Sequence, residues 1–182
     1  MEKISIKEIL DATDGTLISG NTNQTIDSVC IDSRKVTPGC LFVPIKGENT
    51  DGHDFIANAF ENGASLSFTE KDLNEKINGS LIKVSSCIKA LQDLAKYYRK
   101  KFKIPIIGVT GSVGKTTTKE MISSAIGSNL KVLKTSGNYN GQIGLPLTIF
   151  NLDSTYQIAV IEMGISKIGE MDRLQEIANP DI

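Results

Sequence analysis

Apolar and polar positions along the chain recur at two periods, and the changes from one to the other mark out its elements. Ser5-Ile6-Lys7-Glu8 has the spacing at which a serine and a glutamate cap each other's backbone, which predicts a short helix over residues 6–12. A turn-rich stretch follows through Gly20-Asn21. Residues 25–32 then alternate with a period of two, placing Val29 and Ile31 on one face of a strand. Val36-Thr37-Pro38-Gly39 is turn chemistry leading into the apolar strand Cys40-Leu41-Phe42-Val43-Pro44-Ile45. After the polar loop 46–54, Phe55, Ile56, Ala59 and Phe60 recur at helical spacing until Gly63 stops the pattern. Residues 66–68 and 81–84 read as short strands separated by a charged, exposed segment. Ser85 or Ser86 caps a helix carrying Ile88, Leu91, Leu94, Ala95 and Tyr98 on its apolar face.

Lys103-Ile104-Pro105 breaks this pattern and predicts a division into residues 1–103 and 104–182. Beyond it come a strand (106–109), a glycine-bounded turn, and a helix with Met121, Ile122, Ala125 and Ile126 on its apolar side. A strand at 132–134, a loop, a strand at 157–161 and a helix over 170–178 follow. Such alternation predicts a parallel sheet covered by helices. Asn179-Pro180-Asp181-Ile182 looks like the entry to a further strand, so the chain is expected to be a piece of a longer protein.

Composition narrows the classes. The 182 residues carry 20 basic and 21 acidic side chains, a net charge of -1, and no overall field directs the chain to nucleic acid or an anionic membrane. No apolar run resembles a signal peptide or spans a bilayer, so membrane insertion is not expected. Cys30, Cys40 and Cys87 lack Cys-x-x-Cys spacing and read as reduced thiols, which places the chain in the cytoplasm. His53, the single histidine, reads as a residue at a helix start.

The densest chemistry lies between Ile106 and Thr118. An apolar strand, a glycine-bounded turn and then Lys-Thr at the head of a helix is an arrangement that grips a polyphosphate. Loop N–H groups converge on one point, and the helix adds its free N–H groups and the positive end of its dipole. On this reading Thr110, Gly111, Ser112, Val113, Gly114, Lys115, Thr116 and Thr117 form a nucleotide loop. Lys115 reaches the β- and γ-phosphates, and the Thr116 hydroxyl binds the accompanying Mg2+. Val109 stands where the strict Gly-x-x-x-x-Gly-Lys-Thr pattern has its first glycine. Glu162 ends the apolar run Ile158-Ala159-Val160-Ile161, and ligands of open α/β sheets collect at the carboxyl ends of strands. Glu162 is therefore a second candidate for Mg2+.

Three further stretches are more ambiguous. The glycine- and amide-rich run from Thr135 to Pro146 is either a connection or a segment that grips substrate. In Asp32-Ser33-Arg34, the arginine could fork onto a diphosphate or carboxylate, but the residue types describe an Asx-type turn better. The basic run Lys96, Arg99, Lys100, Lys101 and Lys103 reads as a solvated last helical turn suited to the negative end of the dipole.

Together these motifs resemble the Mur ligases, amide-forming enzymes that build the peptidoglycan precursor. Thr110 to Thr117 is similar to that family's ATP loop, with Val113 where the loop often carries Asn. Gly137-Asn138-Tyr139-Asn140 with Gly144-Leu145-Pro146-Leu147-Thr148 resembles the member that adds a dipeptide. Ile161-Glu162-Met163-Gly164, Gly169-Glu170 and Pro180-Asp181 fit the same member. In the first half, Asp32-Ser33-Arg34, Pro38-Gly39-Cys40-Leu41-Phe42 and Asp51-Gly52-His53 follow in the same order.

The resemblance implies an α/β protein in two parts. Residues 1–103 would be a small mixed α/β substrate-binding domain for the UDP-muramyl end. Residues 104–182 would be the first half of a P-loop parallel-sheet ATPase domain. It implies ATP and Mg2+ as cofactors, with UDP-N-acetylmuramoyl-tripeptide and D-alanyl-D-alanine joined through an acyl phosphate. Lys115 would be catalytic, and Thr116 and Glu162 would hold the metal. Ser33, Arg34, Lys46, Gly47, Asn138, Tyr139 and Asn140 would face the substrate. The family's later histidine, metal-proximal lysine and third domain lie outside these residues, so the chain alone is expected to be inactive. Two other readings stay open. One is the related ligase that adds the third stem-peptide residue, against which the Gly-Asn-Tyr-Asn loop argues. The other is a non-catalytic module binding a UDP-sugar or nucleotide.

Overall fold

The reciprocal cap at Ser5 and Glu8 forms as its spacing predicts: Ser5 Oγ accepts from the Glu8 amide at 3.3 Å, and Glu8 Oε2 accepts from the Ser5 amide at 2.8 Å. The computed structural model describes residues 1–72 and 79–182. The expected charged segment between the two short strands falls partly at 73–78, outside the described residues. The described chain forms two units, Met1–Leu94 and Ala95–Ile182.

In the first unit, β1 (Ile4–Ser5) runs into α1 (Ile6–Thr13), which buries Ile6, Ile9 and Thr13. β2 (Thr16–Ser19) forms where turns were expected; its side chains are half-buried or exposed, so it shows no apolar run to read. The alternating stretch 25–32 is not one strand. β3 (Thr25–Ile26) pairs antiparallel with β1, whereas β4 (Ser28–Cys30) pairs parallel with β5 (Cys40–Phe42). The chain changes partners at Asp27, which a period of two does not report. The 3-10 turn Gly52–Phe55 leads into α2 (Ile56–Glu61). With β6 (Leu66–Thr69) and β7 (Ser80–Lys83) the sheet order is β2-β7-β6-β5-β4, antiparallel at β2 and parallel elsewhere. Phe42, Ile56, Ala59, Ala64 and Leu81 form a core cluster against which Val36 and Phe60 pack.

α3 (Cys87–Arg99) is capped by Ser86, whose hydroxyl accepts from the Lys89 amide at 3.3 Å. The division between units falls within this helix rather than after Lys103, because its last turn is fastened to the second unit. Tyr98 donates to the Leu152 carbonyl at 2.6 Å and packs on Phe102 and Phe150. Arg99 corrects the reading of a solvated basic turn. It is buried and donates to the carbonyls of Ala178, Phe102 and Ile104.

The second unit runs β8 (Ile106–Val109), α4 (Lys115–Gly127), β9 (Val132–Lys134), α5 (Gly144–Ile149), β10 (Ile158–Glu162) and α6 (Glu170–Ala178), the predicted order with α5 added. The three strands are parallel in the order β8-β10-β9. The open edge of β8 is met by the last residues, Asp181 donating to the Ile106 carbonyl and Gly108 to that of Ile182. α5 was not expected. Pro146 is its third residue, where the missing N–H falls among those no helical bond requires. Gly144 lies so close to Tyr139 that a Cβ would come within 2.5 Å of its Cα.

α4 departs most from its pattern. It packs on all three strands, yet Met121 and Ala125 are exposed and Ile122 and Ile126 only half-buried. The face it buries carries Lys119 and Ser123.

Candidate functional site

The register of the parallel sheet places the chemistry. Glu162 of β10 pairs with Val109 of β8, the last strand residue before the glycine-bounded loop. A carboxylate 46 residues away in sequence thereby reaches the head of α4. Thr116 donates its hydroxyl hydrogen to Glu162 Oε2 at 3.0 Å, and Asn140 Nδ2 donates to Glu162 Oε1 at 2.8 Å. Glu162 is 2% exposed, so its charge is held by these neighbours rather than by water.

The loop before α4 joins the end of β8 to the helix head. Gly114, at φ 78°, is the helix N-cap, a left-handed conformation that a side chain would strain. It provides no side-chain cap, so the first amides of α4 are left for a ligand. Lys115 folds over the loop and donates to the Gly111 carbonyl at 2.7 Å. The Val113 side chain points outward, 89% exposed.

Of the amide-rich loop, Asn140 is brought to Glu162, while Asn138 and Tyr139 are exposed. In the first unit, Asp32-Ser33-Arg34 and Lys46-Gly47 follow the neighbouring parallel strands β4 and β5. The first is a closed turn: Asp32 accepts from the Arg34 amide at 3.1 Å and from its guanidinium twice at 2.8 Å. Ser33 is buried, and Lys46 and Gly47 are exposed.

His53 is a satisfied structural residue. Its Nε2 accepts from the Glu70 amide at 3.0 Å, which assigns the proton to Nδ1, 2.6 Å from Asp51 Oδ1. His53, Glu70 and Cys87 stand close enough to suggest a metal site. However, the imidazole lone pair is already occupied, and burial pushes the Cys87 thiol far above its usual range. The three cysteines are free.

Two family models match consecutive stretches of the chain: the Mur ligase family catalytic domain over residues 25–109 and the Mur ligase middle domain over residues 109–182. The chain belongs to the Mur ligase family. It is 44% identical, over its whole length, to 40% of the UDP-N-acetylmuramoyl-tripeptide--D-alanyl-D-alanine ligase of Bacillus subtilis. Its fold is similar to that of MurF from Acinetobacter baumannii, with a TM-score of 0.92 and 32% identity, covering 99% of this chain and 40% of that one. A MurF ligase from Thermotoga maritima, solved in complex with ADP, matches with a TM-score of 0.76 and 39% identity over 85% of this chain and 36% of that one. The chain thus spans about 40% of the length of these Mur ligases.

Within this Mur ligase unit, sequence reasoning missed Lys119 and took Thr135 only as the start of the amide-rich run. Lys119 is 1% exposed; its Nζ donates to the Thr135 carbonyl at 2.7 Å and lies 4.0 Å from Glu162 Oε2. The Thr135 hydroxyl accepts from the Glu162 amide at 2.9 Å. A signal was available: Thr116, Lys119 and Ser123 recur at helical spacing and make a polar stripe. The apolar residues beside it drew the buried face to the wrong side. Among the described residues no helix is long and apolar enough to cross a membrane.

Proposed function

We propose that this chain supplies the substrate-recognition and nucleotide-gripping parts of an ATP-dependent ligase. That ligase joins D-alanyl-D-alanine to UDP-N-acetylmuramoyl-tripeptide in cytoplasmic synthesis of the peptidoglycan precursor. The observation that carries the reading is the meeting of the Thr116 hydroxyl and the buried Glu162 carboxylate at the head of α4, directly after the phosphate-type loop. Support comes from relatives bearing that activity's name across the whole chain and from the relative solved with ADP.

The second unit takes the nucleotide. The loop from Thr110 to Thr117 surrounds the phosphates, and Lys115, released from the Gly111 carbonyl, sets its ammonium against the transferring phosphoryl group. Two hard oxygen donors 3.0 Å apart fit Mg2+, so Thr116 and Glu162 would hold it. ATP supplies the phosphoryl group that turns the tripeptide carboxylate into an acyl phosphate, and Mg2+ offsets its charge. Asn138, Tyr139 and Asn140 face the substrate near this point. The first unit takes the UDP-muramyl end through Ser33, Arg34, Lys46 and Gly47, at the carboxyl ends of parallel strands where ligands collect.

The test is carried out on the full-length protein with ATP, Mg2+ and either UDP-N-acetylmuramoyl-tripeptide or the corresponding UDP-muramyl-dipeptide, offering either D-alanyl-D-alanine or single amino acids. ADP release and the mass of the product are followed. A pentapeptide product formed only with D-alanyl-D-alanine is expected. Extension of a UDP-muramyl-dipeptide by one amino acid would overturn the reading in favour of the preceding ligase.

A further inference from the structure

Lys119 is a buried cation for which the phosphate-gripping scheme has no use. It follows Lys115 by one helical turn, but Lys115 turns outward to the loop while Lys119 turns inward under the Thr116–Glu162 pair. One residue fixes both of its relations. Thr135 accepts from Lys119 through its carbonyl and from the Glu162 amide through its hydroxyl, so ammonium and carboxylate are held at a set separation. Glu120 Oε1 lies 3.1 Å from the same ammonium, and Lys134 reaches Glu120 in turn. Two cations (Lys119 and Lys134) thus stand against two carboxylates (Glu120 and Glu162), with no negative charge left over before a ligand arrives.

We propose that Lys119 is a positioning residue that makes divalent-cation binding at Thr116 and Glu162 conditional on nucleotide; this rests on the metal reading above. A bare divalent cation approaching Glu162 meets a carboxylate already offset by an ammonium 4.0 Å away, in a place shielded from water. A polyphosphate entering the loop brings negative charge that Lys119 does not cancel, and the balance reverses in favour of the metal. The ion therefore enters with the nucleotide and not before it. A lysine present only to satisfy the Thr135 carbonyl would make no such difference.

The experiment measures Mn2+ binding to the full-length protein by electron paramagnetic resonance, with and without a non-hydrolysable ATP analogue. Native protein is compared with Lys119→Met, Lys119→Gln and Glu162→Gln. Native protein is expected to bind Mn2+ weakly alone and far more tightly with the analogue. Both Lys119 variants should bind Mn2+ without nucleotide at least about tenfold more tightly than native protein, as removal of a like charge in a shielded site requires. Damage to the fold would weaken binding, so a gain is not a structural side effect. Lys119→Gln keeps a donor for Thr135 and carries the test where Lys119→Met melts early. Unchanged or weaker nucleotide-free affinity in the folded variants overturns the proposal. If Glu162→Gln leaves Mn2+ affinity with the analogue unchanged, the metal reading fails and this proposal with it. A loss there without a gain in the Lys119 variants overturns the role of Lys119 alone.

Discussion

Two loops, one in each unit, leave the carboxyl ends of parallel strands carrying a cation beside a hydroxyl, and they are held in opposite ways. Asp32-Ser33-Arg34 is closed on itself. The partner of Arg34 is two residues away, its side chain is 84% exposed, and the guanidinium holds the Asp32 carboxyl down at about 2. The site around Lys115 and Thr116 is assembled from distant segments, with Asn140 and Thr116 lying 22 and 46 residues from the Glu162 they share. The first arrangement is what any turn rich in Asp and Ser achieves locally. In the second, the Glu162 carboxylate and the Lys119 ammonium beside it are taken out of water, at a cost of several kcal/mol for each ion. A mere connection between strand and helix has no reason to bear that cost. Burial of mutually paired charge, rather than residue type, distinguishes the assembly around Glu162 from the turn at Asp32.

The comparison breaks most sharply at Lys115. Lys115→Ala in the full-length protein is expected to lower turnover at saturating ATP by about a thousandfold or more, since a developing phosphoryl charge loses its fixed cation. Near-native steady-state ADP release would remove the nucleotide loop from the reading. Next comes Glu162→Gln, which keeps the shape that Thr116 and Asn140 grip. It should raise the Mg2+ concentration for half-maximal rate about tenfold, with little change in melting temperature. A rate titration against Mg2+ beside a thermal melt decides it.

In the other loop, Arg34→Ala should weaken binding of the UDP-muramyl substrate by about tenfold or less while leaving ATP affinity and the melt alone. Calorimetric titration with each ligand checks this, and equal losses for both would mean a disturbed fold. The smallest expected effect is at Asp51, whose carboxylate accepts from Lys71 Nζ at 2.7 Å and from the His53 amide at 3.0 Å. These contacts hold its pKa well below the usual carboxylate range. A depressed folded-state value stabilises above the unfolded pKa of about 4 and is lost as pH falls below it. Asp51→Asn should therefore lower the melting temperature at neutral pH. The gap from native protein should narrow as the pH is taken below about 4, and parallel melts across that window would show it.

What the sequence determined by itself is local. The cap at Ser5 and Glu8, the stop at Gly63, the strand–loop–helix order around Gly114 and Lys115, and the carboxylate ending β10 all rest on residues within one turn or one strand of each other. Only the tertiary structure decided the rest. It broke residues 25–32 at Asp27 because the two pieces found different partner strands. It buried Arg99, because the carbonyls it satisfies include one at the end of α6. It also turned the polar stripe of α4, not its apolar neighbours, toward the sheet, because Thr135 and Glu162 were waiting there for Lys119 and Thr116. Periodicity reports which side chains share a face. Which face is buried depends here on the partners available to Thr116 and Lys119, and those are remote in sequence.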